Sequence, residues 1–373
     1  MAKSRVFFTD MRTTMENNLL EKLRKLILAA GIGELPFEGR YTAIKVHFGE
    51  PGNLSFLRPN YAKVIADTVK SFGGRPYLVD CNTLYTGRRK DALDHLDAAM
   101  ENGFTPYSTG CQILIGDGLK GLDEVLVPLS GTKHVREAKI GRGITDADIL
   151  ISLSHFKGHE MTGFGGAIKN LGMGCASRAG KMEQHRSGKP VVNRDACRGC
   201  HLCARHCAQN AITYGADRRA SIDHGLCVGC GHCIGACNFD AISTPGFNSN
   251  TVLSEKIAEY TLAAVKDKPT FHVCIAAQIS PHCDCWGTND TPIIPDVGMF
   301  ASFDPVALDK ACADACNRMS PLPDAQLFEA IEAHGDTAHE HFNNLYPHTD
   351  WETMLRHSEA LGIGTTDYEL VAL

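Results

Sequence analysis

Two runs of four cysteines with identical internal spacing constrain this 373-residue chain more than any other feature. The first is Cys197-x2-Cys200-x2-Cys203-x3-Cys207, and the second is Cys227-x2-Cys230-x2-Cys233-x3-Cys237. Thiolates are soft anionic ligands suited to iron–sulfur clusters, and this spacing, taken twice, is that of a chain carrying two [4Fe-4S] clusters. In such pairs the fourth cysteine of each run crosses to the other cluster. Cluster one is therefore assigned to Cys197, Cys200, Cys203 and Cys237, and cluster two to Cys227, Cys230, Cys233 and Cys207. Structural zinc sites fit these runs poorly. A disulfide framework belongs to exported chains, and the N-terminus is not followed by the long apolar region of a signal peptide. Proline usually follows the fourth cysteine. Ala208 and Asn238 stand there instead, with no ligand lost.

The cysteine segment reads as a bacterial-ferredoxin-like α+β unit over residues 189–245, internally duplicated, with the two copies ending at Ala211-Ile212 and Ala241-Ile242. On both sides of it strands and helices alternate. Strands are expected at 5–8, 41–48, 75–79, 124–129, 148–153 and 271–279. Helices are expected at 18–30, 59–72, 89–102, 253–265 and 305–316, with a mostly helical tail to 361. This alternation specifies an α/β core with a mixed or parallel sheet flanked by helices. Because it resumes beyond the cysteines, the expected organisation is 1–188 and 246–373 as two parts of one α/β domain, with 189–245 inserted.

Lys and Arg number 37 against 43 Asp and Glu, a net charge of −6, which lacks the basic footprint of a nucleic-acid binder. No apolar stretch is long enough to span a membrane. Sixteen cysteines without an export signal imply a reducing, cytoplasmic setting.

Outside the clusters, polar residues concentrate in loops that follow strands, where α/β sheets bind ligands. The richest runs from Ser154 to Asn170 and carries His155, Lys157, His159 and Lys169 among several glycines. Histidines there can hold a metal or carry protons, lysines can meet an anion, and glycines let backbone N–H groups approach a ligand. These four residues are the catalytic candidates. Neither a dinucleotide fingerprint nor a P-loop is present. His47, Asn53, Asn82, Tyr85, Arg88, Arg89 and Asn170 are the substrate-binding candidates, the arginines suiting a carboxylate or phosphate. Cys283 and Cys285 form a C-x-C pair, too few ligands for a tetrahedral site alone, but open to metal binding, redox chemistry or packing. Asp304 and Asp309 read as capping or surface acids, and Cys312 and Cys316, one helical turn apart, as core thiols or metal ligands.

Taken together, residues 45–53, 80–89, His155-Phe156-Lys157-Gly158-His159, 163–172, Cys283-Asp284-Cys285 and 303–307 resemble the DUF362 family of iron–sulfur centre proteins over nearly the whole chain. The resemblance implies that the histidine, lysine and glycine loop belongs to a shared core. A fainter likeness, of His159 with 163–169, is to nickel-pincer lactate racemases. A full set of their catalytic histidines is not found, so this likeness implies an anion or cofactor cleft and not their reaction. The expected function is single-electron relay through the clusters to a metal, flavin or small anionic substrate in a crevice, with a protein electron donor or acceptor as partner. The alternatives are a non-enzymatic carrier or maturation factor, and a hydrolase or isomerase with structural clusters.

Overall fold

In a computed structural model of the chain, the described residues are 3–84, 87–185, 189–207, 209–227, 232–239, 241–243, 248–336 and 340–373. Their centre is an eight-stranded sheet. Its strands are β1 (Ser4–Thr9), β2 (Tyr41–Lys45), β3 (Arg75–Asp80), β4 (Gln112–Ile115), β5 (Ile149–His155), β6 (Thr270–Ala276), β7 (Gly298–Ser302) and β8 (Tyr368–Ala372). Their spatial order is β8-β1-β7-β6-β5-β2-β3-β4. All neighbours run parallel except at β7, which is antiparallel to both β1 and β6. The sheet is therefore mixed, with one reversed strand.

Helices cover both faces. On one, α1 (Leu19–Ala29) and α2 (Pro59–Ser71) bury Leu23, Leu26, Ile27, Ile65 and Val69 against Ile149, Ile151, Val273 and Ile275. Asn18 starts α1 by accepting from the backbone N–H groups of Leu20 and Glu21, and Pro59 starts α2 where its missing N–H costs nothing. On the other face lie α3 (Ala167–Gly172), α4 (Arg178–His185), α5 (Asn250–Val265) and α6 (Pro305–Asn317). There Cys274 and Ala276 of β6 meet Ile168, Ile257 and Val306. β5 and β6 are buried on both faces, which is why they read as nearly continuous apolar runs.

Several expected bounds shift. The strand expected at 41–48 leaves the ladder after Lys45. The helix expected from 89 begins at Ala92, because Asp91 caps it, so Arg89 is a turn residue. The segment 124–129 does form a strand, Glu124–Pro128, but it pairs in a separate hairpin with Glu137–Gly141. β4, β7 and β8 were not expected. β4 and β8 are half-exposed edge strands without a strong apolar pattern, and β7 is short and begins with glycine.

The cysteine segment leaves and rejoins the sheet domain between β5 and β6, which are neighbours in the sheet. Its own strands are short: Val191–Val192 pairs with Ile242–Ser243, and Ile212–Tyr214 with Ala220–Ile222.

Candidate functional site

The C-terminal ends of β2, β3 and β5, with the loop that follows β6, open onto one cavity of about 570 Å³. β5 continues the alternation of a strand beyond its end. His155, Lys157 and His159 face the cavity, while Phe156 turns to an aromatic cluster with Phe164 and Phe342. Gly158 lies on that opposite side, where a Cβ would stand 2.3 Å from the Pro281 carbonyl oxygen. The backbone of 157–159 can therefore sit against 281 only as glycine.

The two cavity histidines of this strand do different work. His155 Nδ1 lies 2.9 Å from Asp284 Oδ1, and its Nε2 lies 2.9 Å from the Ala277 carbonyl oxygen. Both ring nitrogens face oxygen acceptors. Burial alone would raise the Asp284 acid, but His155 and Lys157, whose Nζ is 3.4 Å from Asp284 Oδ2, hold it well below the usual carboxylate range. His159 Nδ1 instead accepts from the backbone N–H groups of Met161 and Thr162, each at 3.2 Å. Burial and the charges of Lys169, His185 and Lys157 push its titration well down. It is a neutral imidazole whose hydrogen must sit on Nε2. His47 follows the same rule: Nδ1 accepts from the Gly49 N–H at 3.0 Å, and burial, aided by Arg89, keeps the ring neutral. The cavity thus receives imidazole N–H donors and not imidazole lone pairs, which makes both rings poor metal ligands as they stand.

Lys169, on α3, points its Nζ at Cys283 Sγ, 3.3 Å away. The start of α3 is pinned by Asp309, whose carboxylate accepts from the Ala167 and Ile168 N–H groups at 2.6 and 2.9 Å. A hydrogen bond from Cys285, opposed by burial and aided by Lys169 and Lys157, holds the Cys283 thiol well below its ordinary range. Burial alone would lower Lys169, but the Cys283 sulfur, with Cys285 and Glu160 nearby, outweighs it and raises Lys169. An ammonium at this distance favours the charged form of the Cys283 sulfur. Among the described residues no three His, Cys, Asp or Glu side chains converge on a single-ion position.

Other candidates fall outside the cavity or are committed elsewhere. Asn170 lines it, but its Oδ1 accepts from Lys45 Nζ at 2.8 Å and its Nδ2 donates to the Lys45 and Leu153 carbonyls, so it ties β2 to β5. Asn53 is buried and donates to the Thr288 carbonyl. Asn82 is buried against Asp117 and Gly118. Arg88 is on the surface with Glu101, whereas Arg89 turns inward to Glu50 at 2.8 Å. Tyr85 lies outside the described residues. Cys312 and Cys316 sit in the apolar core beside Cys274, where burial pushes both thiols up. Asp304 caps α6.

Sequence reasoning placed Lys45, Asp80 and Asp284 in its candidate loops without giving them a role, and passed over Lys181. Lys45 and Asp80 form a buried ion pair at 3.0 Å across β2 and β3, and its signal was charge at two adjacent strand ends. Lys181, 7 % exposed, lines the cavity with His185, one turn further along α4. Its Nζ donates to the Ala176 carbonyl at 2.6 Å, and among the described residues it has no carboxylate within ion-pair distance.

A second hollow lies in the cysteine segment. Cys197, Cys200, Cys203 and Cys237 line it together with Tyr214 and His201. Backbone N–H groups of Ala220 and Ala241 donate to the sulfurs of Cys197 and Cys237 at 3.4 Å, and the Tyr214 hydroxyl lies 3.1 Å from Cys203 Sγ. Polar donors aimed at grouped sulfurs suit a thiolate-held cluster. Of the other four cysteines, Cys207 accepts from the Ala211 N–H at 3.3 Å, Cys233 is buried in the segment's core, Cys227 is partly buried, and Cys230 lies outside the described residues.

Comparison with known proteins gives several likenesses. The chain is 32% identical over 82 residues to the pyruvate synthase subunit PorD of Methanothermobacter marburgensis, covering 93% of that subunit and 22% of this chain. It is 24% identical over 187 residues to the thylakoid-associated protein sll1697 of Synechocystis, covering 48% of this chain and about half, 52%, of that relative. Two solved structures overlap it more loosely. The lactate racemase apoprotein of Thermoanaerobacterium thermosaccharolyticum has a TM-score of 0.36 at 10% identity, over 72% of this chain and 50% of that one. A Thermotoga maritima protein has a TM-score of 0.34 at 13% identity, over 71% and 51%. Overlaps this loose transfer no chemistry. No helix among the described residues is long and apolar enough to cross a membrane. The family model described as Domain of unknown function (DUF362) matches residues 42–314, and the chain belongs to that family.

Proposed function

We propose that this protein is an iron–sulfur oxidoreductase that acts on a small anionic substrate or cofactor in the central cavity. The observation that carries this reading is helix α4. Lys181 and His185 stand on the cavity wall, while Met182, between them in sequence, is packed into the core that contains Cys203, Cys233 and Cys237. One short helix thus touches both places where chemistry gathers. Cys197, Cys200, Cys203 and Cys237 would hold one [4Fe-4S] cluster, and Cys227, Cys230, Cys233 and Cys207 the second. When bound, these clusters supply one-electron oxidation and reduction.

The remaining chemistry belongs to the chain's own side chains. Lys157, Lys169 and Lys181 attract the anion. The Nε2–H of His159 and of His47 can orient it by donating hydrogen bonds. His155, locked between Asp284 and Ala277, holds Asp284 ionised and thereby keeps Lys157 in place. Cys283 and Cys285 serve as thiols and not as metal ligands. In this reading residues 189–245 form a unit inserted between 1–188 and 246–373, the protein works in the cytoplasm, and a protein partner exchanges electrons with it. The likeness to most of a pyruvate synthase subunit supports a second reading, in which the chain is a carrier that docks a partner and the cavity is not a catalytic site.

Purification without oxygen, with iron and sulfide assays and EPR of the reduced protein, tests the first part. About eight of each per chain is expected. Small carboxylates are then screened as oxidants of the reduced protein. The enzyme reading requires His159→Phe to abolish oxidation by the active compound with iron content unchanged. If the variant matches the parent with every compound, the carrier reading stands.

A further inference from the structure

The cavity has one more feature, the placement of a sulfur. We propose that Cys283 is a nucleophile that adds reversibly to the carbonyl carbon of a small carboxylate-bearing aldehyde or ketone. This rests on the anion-binding half of the function proposed above and not on the clusters.

Cys283 differs from the thiols of the apolar core and from Cys81, which shares the cavity wall but sends its thiol to the Cys175 carbonyl at 3.6 Å. Cys274, Cys312 and Cys316 lie among apolar side chains. Cys283 is 1 % exposed yet on the cavity wall, with Lys169 Nζ 3.3 Å from its sulfur. Its backbone is held from several sides. The Tyr346 hydroxyl donates to the Pro281 carbonyl at 2.9 Å, the Glu50 N–H donates to the Asp284 carbonyl at 3.0 Å, and the Trp286 N–H donates to the Cys283 carbonyl at 3.0 Å. A fixed sulfur beside a fixed ammonium is the arrangement of an activated nucleophile.

The surrounding charges select the partner. Asp284 is consumed by His155 and Lys157. Glu160 accepts from Trp286 Nε1 at 3.3 Å through one oxygen, while its other oxygen lies on the cavity side 3.9 Å from His159 Nε2. Lys181 has no carboxylate partner among the described residues, and His159 offers an N–H. A carboxylate entering here meets cations and donors, and about 570 Å³ admits a small molecule. The addition needs no oxidant. Sγ forms a bond to the carbonyl carbon, the π pair moves to oxygen, and the oxygen takes a proton from the Lys169 ammonium. The product is a hemithioacetal or hemithioketal beside a neutral Lys169, and reversal restores both groups.

The test treats the anaerobically purified full chain with iodoacetate or iodoacetamide and maps the alkylated cysteines by mass spectrometry. For an ordinary thiolate the neutral amide is the faster reagent. Here iodoacetate is expected to be faster at Cys283, and glyoxylate is expected to protect that cysteine from iodoacetamide, with protection lost on dialysis. With carbon-13 glyoxylate, an NMR signal from the new C–S carbon should appear and be absent in Cys283→Ser. Lys169→Met should slow alkylation of Cys283 at least tenfold, and Lys169→Arg should restore most of the rate. If Lys169→Met does not fold, Cys285→Ala tests the same activation through the lost S–H bond. Alkylation of Cys283 no faster than of Cys285, a preference for iodoacetamide, or no protection by glyoxylate would each overturn the proposal. Iron content is assayed on the same samples, so absent clusters with intact Cys283 reactivity would sink only the redox reading.

Discussion

The cysteine segment and the central cavity are built on opposite plans. The segment draws its candidate ligands from one short stretch, 197–237, and its core includes Cys203, Cys233 and Cys237 themselves, with Ile212, Ile234 and Ile242. The cavity draws on residues from Lys45 to Gly287 and rests on a sheet with apolar layers on both faces. The difference is one of where stability comes from. A region whose core is partly ligand depends on what the ligand holds, whereas the cavity walls stand on packing.

The sharpest way to break that contrast is to strip iron with a chelator and follow amide hydrogen exchange. Protection in 191–243 should be lost entirely, while β5 and β6 keep theirs. Simultaneous loss in both regions would show that the plans are not separate. The next largest effect is on the sheet side. Lys45→Met leaves Asp80 as a buried carboxylate that burial would otherwise raise and Lys45 holds down. Urea denaturation should show a loss of about 3–5 kcal/mol, partly recovered by adding Asp80→Asn, with iron content untouched. Asn170→Ala frees the Lys45 and Leu153 carbonyls and should cost about 1–3 kcal/mol by the same measurement.

A pH series probes the floor under Lys169. Burial pushes Asp309 up to about 7 from 3.8, despite the Ala167 and Ile168 N–H groups that favour its charge. Between those values the folded chain keeps a proton that the unfolded chain has lost. The contribution of Asp309 to stability therefore falls as pH rises from about 4 to about 7. Asp309→Asn should flatten that part of the stability profile, and an unchanged slope would assign it elsewhere. The smallest effect belongs to Arg88→Ala. Its pair with Glu101 is exposed, so urea denaturation should show almost no change, and neither region should respond.

Legibility followed the same division. The candidate cluster cysteines stood out in the sequence because their signal lies in local spacing. His155, Lys157, His159 and Lys169 were found because they cluster behind a strand. Their roles were hidden, since those depend on Asp284, Ala277 and Cys283, more than a hundred residues away. Arg88 and Arg89 show the limit well. One faces solvent and one faces Glu50, and that choice was set by where Asp91 starts the next helix, which the periodicity placed too early. β4, β7 and β8 were missed for want of an apolar pattern, and the mixed character of the sheet rests on β7.

The pairing of Val191–Val192 with Ile242–Ser243 bears on how the chain assembles. β6 must find β5 after a long detour, and halving a loop changes its closure cost by only about 0.6 kcal/mol. The detour is therefore a matter of timing and not of stability. Because that pairing brings the two ends of the segment side by side, a segment that has already closed presents β5 and β6 to each other as if the intervening chain were short. Metal supply during synthesis would then set the pace at which the main sheet is completed.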